Sequence, residues 1–174
     1  MVIKFMINIV LYEPEIPQNT GNIMRTCAGT GTKLHLIKPL GFSLDEKAVK
    51  RSGVNYLQYC DYEVYENYDD FLSKNQGDFY YLTRYGTKDY CDFDYSDSSK
   101  SVYLVFGKES TGIPKSILKD HLEKCARIPI NDCIRALNVS NSVAIVLFEV
   151  LRQQKFPNLN HYDTQKGYDY LLNE

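Results

Sequence analysis

The chain has 174 residues, of which 44% are hydrophobic and 24% are charged, values typical of one globular domain. No apolar run approaches the ~18 residues of a membrane-spanning helix, and the N-terminal MVIKFMINIVLY lacks the basic region and cleavage site of a secretory leader. These features argue against a membrane or secreted protein, and we expect a cytoplasmic one.

Cysteine usage fits the same compartment. The five cysteines are odd in number, are scattered and form no CxxC pair; they are Cys27, Cys60, Cys91, Cys125 and Cys133. This pattern predicts reduced thiols rather than a disulfide framework, and with three scattered histidines it predicts no metal site.

The formal net charge of −2 hides an asymmetry along the chain. Residues 21–55 carry six lysines and arginines against Asp45 and Glu46, a local net charge of +4, whereas residues 60–98 carry ten acidic residues against three basic ones, a net of −7. A basic segment could contact phosphate. The alternative is an ordinary solvated surface, which charge alone favours.

Hydrophobic periodicity and turn residues divide the chain into alternating elements. In chain order they predict a strand over 6–12, a helix over 19–28, a strand over 33–39, a helix over 43–53, a strand over 56–66, a helix over 67–75, a strand over 79–83, a polar loop over 84–100, a strand over 101–107, a helix over 113–120, a strand over 125–130 and a helix over 140–155. This alternation predicts an α/β domain over 1–156, with a largely parallel sheet covered by helices on both faces, and a polar tail over 157–174.

Common nucleotide-binding and hydrolase motifs are absent. GTGTKL at 29–34 lacks the third glycine of GxGxxG and follows a helix, and FGKEST at 106–111 has Glu where a P-loop needs Ser or Thr. No GxSxG elbow or HExxH helix occurs. A dinucleotide-dependent dehydrogenase, a P-loop ATPase and an α/β-hydrolase are therefore poor interpretations.

Three other segments contain residues suited to chemistry. In NTGNIMRTCAGTG, Asn19 opens the first predicted helix and Arg25 lies nearly two turns inside it. The forked guanidinium of arginine suits phosphate or carboxylate. The alternative is a helix cap and a surface ion pair.

The second segment is LVFGKESTGIP, where a predicted strand ends on Gly107 and Glu109 follows. Ligands favour the carboxyl ends of parallel strands, and a glycine there would let a flat ligand approach the backbone. The alternative is an ordinary strand-to-helix turn.

The third segment is RIPINDCIRALNVSNS, which runs into the apolar VAIVLF. A helix start leaves about four amides unpaired, and the polar residues at 138–142 exceed what one cap needs. Because the following helix is apolar nearly all round, we expect it deep in the core, with its start held near the ligand edge of the sheet. The alternative is that these residues are only caps.

Together with IVLYEPEIPQNTGNIMRTCAGTGTKLHLIKPLGF and RSGVNY, these segments resemble the SPOUT class of methyltransferases. More narrowly they resemble the small single-domain tRNA (cytidine(34)-2'-O)-methyltransferases, which modify the ribose of the wobble nucleotide, a cytidine or a modified uridine. The resemblance runs from about residue 8 to residue 154. It implies a deep C-terminal trefoil knot, a homodimer, S-adenosylmethionine as methyl donor and the tRNA anticodon stem-loop as partner, without a metal.

The resemblance also assigns site residues by motif position. It implies cofactor contacts at Leu82, Gly107, Ile128 and Ala136. It implies catalytic or RNA-contacting roles for Asn19, Arg25, Glu109 and Asn138. In the mechanism that we expect, Arg25 binds a phosphate beside the target nucleotide. It is not expected to be the general base, because arginine stays protonated. Glu109 anchors either Arg25 or the positive end of the cofactor.

Several positions depart from the family pattern. Ala136 stands where relatives commonly have serine, so a backbone contact would survive but a hydroxyl contact would not. Phe148 stands where some relatives have tyrosine, and Lys108 with Ser110-Thr111 replaces a commoner Pro and Thr-Arg. The last change removes one cation near the cleft.

Two points stay open on the sequence alone. Aromatic and basic residues interleave at Tyr80, Tyr81, Arg84, Tyr85, Lys88 and Tyr90, a pattern that fits either stacking on anticodon bases or ordinary packing.

The alternative functions are a ribose methyltransferase acting on ribosomal RNA or another tRNA site, and a non-catalytic RNA-binding dimer. Because only five residues precede the first predicted strand, the small tRNA group is favoured over relatives with an added N-terminal domain.

Overall fold

A computed structural model describes residues 7–44 and 57–172, which contain one seven-stranded parallel sheet. The strands, numbered in chain order, are β1 (Ile7–Tyr12), β2 (Lys33–Ile37), β3 (Tyr62–Tyr65), β4 (Asp78–Leu82), β5 (Lys88–Asp89), β6 (Val102–Phe106) and β7 (Cys125–Arg127). Their order across the sheet is β3-β2-β1-β6-β4-β7-β5. The predicted α/β class with a parallel sheet is therefore confirmed.

Helices cover both faces of the sheet. They are α1 (Pro17–Thr30), α2 (Tyr68–Lys74), α3 (Lys115–Lys119) and α4 (Val139–Gln153). Side chains of α1 and α4 join the alternate strand residues Ile9 and Leu11 in one core, while α2 and α3 pack around Val10 on the opposite face. Because successive strand side chains point to opposite faces, a strand covered on both sides is apolar throughout, as β6 (VYLVF) is.

The boundaries of the first helix have a local physical cause. Pro17 occupies the first helical position, where its missing N–H costs nothing. Gly31 ends the helix in the left-handed conformation, with φ of 64°, and its N–H donates to the Cys27 carbonyl. The helix is thus longer than the predicted 19–28, and Gly29 lies inside it rather than stopping it.

Three predicted elements differ from the structure. The polar loop over 84–100 contains β5, which pairs with β7, and it buries Phe93 and Tyr95 in the core. Only Tyr62–Tyr65 of the predicted strand 56–66 is a strand, and β7 ends at Arg127 rather than at residue 130. The predicted helix over 43–53 and the RSGVNY segment lie largely or wholly outside the described residues.

The prediction that the last helix lies deep in the core is wrong for one of its faces. Val143, Val146, Leu147 and neighbouring apolar residues are buried, but Ile145 and Phe148 are 37% and 48% exposed. The helix therefore covers the sheet with one side and presents apolar side chains outward with the other. Across residues 7–44 and 57–172, no helix has the length and apolarity needed to cross a bilayer.

Candidate functional site: two neighbouring clefts at the carboxyl edge of the sheet

The sequence-predicted polar residues gather where the strand order changes direction. From β1 the chain continues to β2 on one side, while β6 lies on the other side of β1. Crevices at such positions, outside the carboxyl ends of parallel strands, are the usual ligand sites of open α/β sheets. Asn19 reaches this edge from α1, Glu109 from the loop after β6, and Asn138 from the start of α4.

Glu109 caps the start of α1 from a distant part of the chain. Its Oε2 accepts the Glu15 N–H at 2.9 Å, and its Oε1 accepts the Ile16 N–H at 3.3 Å and the Asn19 side-chain amide at 2.9 Å. A helix start presents unpaired N–H groups and the positive end of the helix dipole, so a carboxylate is well placed there. Both carboxylate oxygens are engaged with the beginning of the helix.

Asn19 connects Glu109 to the last helix. Its Oδ1 accepts a hydrogen bond from Asn138 Nδ2 at 2.9 Å. Asn138 in turn caps α4, since its Oδ1 accepts the N–H groups of Ser140 and Asn141 and the Ser140 hydroxyl. The three side chains therefore form one continuous hydrogen-bonded chain, which we call the Glu109–Asn19–Asn138 chain. It ties the starts of α1 and α4 to the end of β6.

A second set of contacts fixes the loop after β6. Lys108 Nζ lies 2.7 Å from Glu13 Oε2, and the Glu15 carboxylate accepts both the N–H and the hydroxyl of Ser110 at 2.9 and 2.8 Å. These Ser110 hydrogen bonds hold the pKa of the Glu15 carboxyl below its usual value. Lys108 and Ser110 thus have partners in the loop after β1.

The structure explains the glycine at position 107 differently from the sequence-based prediction. A side chain there would collide with the backbone of Gly112 and Ile113, which folds back against it. The isolated bridge between Lys108 and Gly112 holds that turn closed. Gly107 is thus required by the turn itself, whether or not a ligand approaches it.

A small cleft of about 180 Å³, counting its open mouth, adjoins the Glu109–Asn19–Asn138 chain. Its lining residues come from β1, α1, the β6 loop and α4, and are Leu11, Pro14, Asn19, Thr20, Ile23, Gly107, Glu109 and Val139. Thr20 is 2% exposed, and its hydroxyl has no hydrogen-bond partner among the described residues.

Arg25 lies on an exposed position of α1, six residues after Asn19. At 3.6 residues per turn these two side chains leave the helix in different directions. Arg25 therefore belongs to the helix whose start the Glu109 carboxylate caps. The hydrogen bonds of that carboxylate go to residues at the helix start.

A larger cleft of about 450 Å³, counting its open mouth, lies beyond β4 and β7. It brings together three of the four predicted cofactor residues, Leu82, Ile128 and Ala136, and Gly107 lines the smaller cleft instead. Apolar walls with a few polar groups such as Thr83 and Ser142 suit a small organic ligand.

Sequence reasoning missed the basic character of this cleft. Arg84, Arg127 and Arg135 all line it. Arg84 follows β4, as the predicted strand over 79–83 indicates. Arg127 ends the adjacent strand β7, which the predicted strand over 125–130 did not indicate, and Arg135 lies in the loop before α4. Within the described residues, no cluster of His, Cys, Asp and Glu could hold a metal ion.

Comparison with known proteins agrees with this architecture. Residues 6–148 match the SpoU rRNA Methylase family. The chain is 44% identical over 155 residues to the tRNA (cytidine(34)-2'-O)-methyltransferase of Escherichia coli (strain K12), covering 87% of this chain and 96% of that protein.

Two solved structures share the fold. One, described as giving structural insights into the 2-OH methylation of C/U34 on tRNA, has 33% identity and a TM-score of 0.79, and the alignment covers 87% of this chain and 97% of that one. An AdoMet-bound rRNA methyltransferase from Sinorhizobium meliloti has 25% identity and a TM-score of 0.73, covering 84% and 56%. With the family match spanning most of its length, the chain belongs to the SpoU methylase family.

Proposed function

We propose that this protein transfers a methyl group from S-adenosylmethionine to the ribose 2′-hydroxyl of the wobble nucleotide of tRNA, a cytidine or a modified uridine. The observation that carries the proposal is the larger cleft, where Leu82, Ile128 and Ala136 from three separate segments form one wall. Family membership and the wobble-nucleotide activity named for the 44% identical relative support the same reaction.

The lining of the larger cleft fits this cofactor. Leu82, Ile128 and Leu137 offer apolar surface for a flat base, and Thr83 and Ser142 offer hydroxyl groups. Ala136 can contribute only its backbone and methyl group. When bound, the cofactor supplies an electrophilic methyl group on a sulfonium. Gly107, which lines the adjoining cleft, completes the proposed set of cofactor residues from the side of β6.

Methyl transfer to a hydroxyl depends on alignment, because the sulfonium already provides a good leaving group. Arg25 is the proposed phosphate contact that orients the target ribose, since its exposed position on α1 leaves it accessible to RNA. The Glu109–Asn19–Asn138 chain has a positioning role: it holds α1, and with it Arg25, against the end of β6.

The remaining parts of the proposal concern the whole molecule. The domain spans residues 1–156, with 157–174 as a tail, and its C-terminal part forms a deep trefoil knot as in the SPOUT class. The protein acts in the cytoplasm as a homodimer. The outward-facing Ile145 and Phe148 of α4 support the dimer, because apolar side chains on an otherwise packed helix fit an interface.

Nucleoside mass spectrometry of tRNA tests the proposed reaction directly. Cells that lack this protein should lose a 2′-O-methylated nucleoside at the wobble position, and a plasmid copy of the gene should restore it. Loss of a 2′-O-methyl group at another tRNA position, or from ribosomal RNA, would show that the substrate assignment is wrong. No loss at all, together with no heat of binding for S-adenosylmethionine, would favour a non-catalytic RNA-binding protein.

A further inference from the structure

The mouth of the larger cleft carries a group of exposed cationic and aromatic side chains, which we call the Arg84–Tyr85 platform. It consists of Arg84, Tyr85, Arg127 and Arg135. Tyr85 is 59% exposed, and the Arg84 guanidinium lies over its ring, 4.7 Å from the ring centre. Arg127 Nη1 donates to the Arg84 carbonyl at 3.2 Å, which connects the end of β7 to this group.

The positive charge of this platform is not neutralised within the described part of the chain. None of the ion pairs formed there uses Arg84, Arg127 or Arg135. The charge also reaches Tyr85, since the Arg84 guanidinium, with further contributions from Lys115 and Arg135, holds the pKa of its hydroxyl below the usual value. Three guanidinium groups therefore line one ligand site without a carboxylate partner among the described residues.

The chemistry of the methyl donor shows which ligand suits these charges. S-adenosylmethionine carries a sulfonium and an ammonium group against one carboxylate, so it offers a single negative charge to three guanidinium groups. An RNA strand presents the opposite charge at every phosphodiester, and its unpaired bases stack on exposed aromatic rings. The platform is therefore suited to the nucleic acid rather than to the donor.

The other tyrosines of this region do not have this role. Tyr80 and Tyr81 are 4% and 1% exposed and pack in the two cores, so the packing interpretation is correct for both. Tyr90 is half-buried against the core. Tyr85 is the ring of the four that is available to an incoming base.

Resting on the proposed function, we propose that the Arg84–Tyr85 platform is the RNA-contacting surface at the mouth of the cofactor cleft. A nucleobase of the single-stranded substrate loop stacks on Tyr85, and phosphodiester groups flanking that nucleotide contact Arg127 and Arg135. The platform thus acts in substrate positioning, and it recognises RNA by charge and stacking rather than by reading one base.

The test measures RNA and cofactor binding separately in the full-length protein. Fluorescence anisotropy with a labelled tRNA anticodon stem-loop, at several salt concentrations, gives the RNA affinity, and calorimetry with S-adenosylhomocysteine gives the cofactor affinity. The variants are Tyr85→Ala, Tyr85→Phe, Arg127→Gln and Arg135→Gln. Matched controls are Tyr168→Ala, an 88% exposed tyrosine in the tail, and Lys100→Gln, which lies in a distant turn beside Asp97.

We expect Tyr85→Ala to weaken RNA binding by about 5- to 100-fold and Tyr85→Phe to stay within twofold of the wild type, because the ring alone is needed for stacking. Each arginine variant should reduce the slope of log affinity against log salt by about one. Cofactor affinity should be unchanged in all four variants, and both control variants should behave as the wild type does.

Three results would overturn the platform. The first is that Tyr85→Ala leaves the RNA affinity unchanged, and the second is that the wild type does not bind RNA. The third is that the arginine variants lose cofactor binding while the salt dependence of RNA binding stays unchanged. The last would assign the guanidinium groups to the cofactor. If the wild type methylates tRNA while Tyr85→Ala binds it normally, the platform is wrong and the proposed function stands; a wild type that methylates no tRNA refutes the function itself.

Discussion

The Asn19 side-chain amide donates to Glu109 Oε1 over 2.9 Å, although the two residues are 90 positions apart in the sequence. The same carboxylate accepts the N–H groups of Glu15 and Ile16. Glu109 is thus surrounded by donors and serves as the N-terminal cap of α1 in place of the residue at the cap position, Ile16, whose side chain cannot accept a hydrogen bond. The position of α1 on the sheet therefore depends on a residue from the loop after β6.

Replacing Glu109 with Gln should cost both stability and activity. The amide keeps the shape but turns one acceptor into a donor that faces other donors, so we expect the free energy of unfolding to fall by about 1–3 kcal/mol. Methyl transfer should fall as well, because α1 carries Arg25. Urea denaturation and a tritium-transfer assay measure the two effects. Glu123→Gln, in the exposed 3-10 helix Leu122–Lys124, is the matched control, and equal stability of the two variants would contradict the capping role.

The sequence predicted the members of this site but not their contacts. Asn19, Glu109 and Asn138 were identified by motif position, and Asn138 also as a helix cap. Their hydrogen bonds span 90 and 119 residues and depend on the order of the strands, which local periodicity does not contain. Short, fully apolar strands likewise reveal that a sheet is parallel and covered on both faces, but not which strand lies beside which.

The basic rim of the cleft was missed for a related reason. The sequence predicts Arg127 inside a strand over 125–130 and Arg84 at the start of a polar loop, and it does not indicate that the two strands are neighbours. The structure ends β7 at Arg127 and pairs it with β4, which brings the two arginines together. The burial of the tyrosines could not be predicted from local sequence either. Tyr81 lies within β4 and is buried, whereas Tyr85 lies just beyond the end of β4 and is exposed.

Arg25→Ala should abolish methyl transfer while S-adenosylmethionine binding stays nearly intact. The reason is that the guanidinium is proposed to hold RNA phosphate, and Arg25 is not among the residues that line the cleft with Leu82 and Ala136. Single-turnover assays and calorimetry separate the two quantities. Lys100→Ala controls for the loss of one positive charge, and an equal loss of transfer and cofactor binding would show that the role of Arg25 is wrong.

The buried His35 should make stability depend on pH. Its Nδ1 lies 2.8 Å from the Tyr65 hydroxyl and its Nε2 lies 3.1 Å from Asn8 Oδ1. Because the Asn8 side-chain NH2 donates to the Val102 carbonyl, its oxygen faces His35 Nε2 as an acceptor, so neutral His35 donates from Nε2 and accepts at Nδ1. Burial, with a smaller contribution from Lys33 and against an opposing one from Glu63, lowers the pKa of His35 to about 3.

The sign of this effect follows from the depressed pKa. Above about pH 6.5 both states are neutral and the full stability is present, whereas below it the unfolded chain binds a proton that the folded chain does not. Between pH 6.5 and pH 5 the free energy of unfolding should fall at up to about 1.4 kcal/mol per pH unit. Urea denaturation across this range measures the slope. His35→Gln should flatten it, whereas His161→Gln, in the exposed tail, should not; a flat wild-type profile would contradict the prediction.

Phe148→Glu should convert the proposed dimer to a monomer. The side chain is 48% exposed on the outer face of α4, so a carboxylate there is tolerated in the isolated domain but not in an apolar interface. Light scattering should give a mass near the chain mass of 20.1 kDa for the variant and twice that for the wild type. Leu72→Glu, on the exposed side of α2 at 38%, should leave the mass unchanged. A wild-type monomer would rule out this role for α4.

Thr20→Val should leave stability unchanged or raise it by up to about 1 kcal/mol. The buried Thr20 hydroxyl has no partner among the described residues, so it was desolvated without compensation, and valine keeps its shape. Thr30 in the same helix is the matched opposite case, because its hydroxyl donates to the Thr26 carbonyl and lies 2.9 Å from the Thr32 hydroxyl. Thr30→Val should therefore lower the free energy of unfolding by about 1 kcal/mol. If urea denaturation shows Thr20→Val to be the more damaging substitution, then the Thr20 hydroxyl has a hydrogen-bond partner in solution and the prediction is wrong.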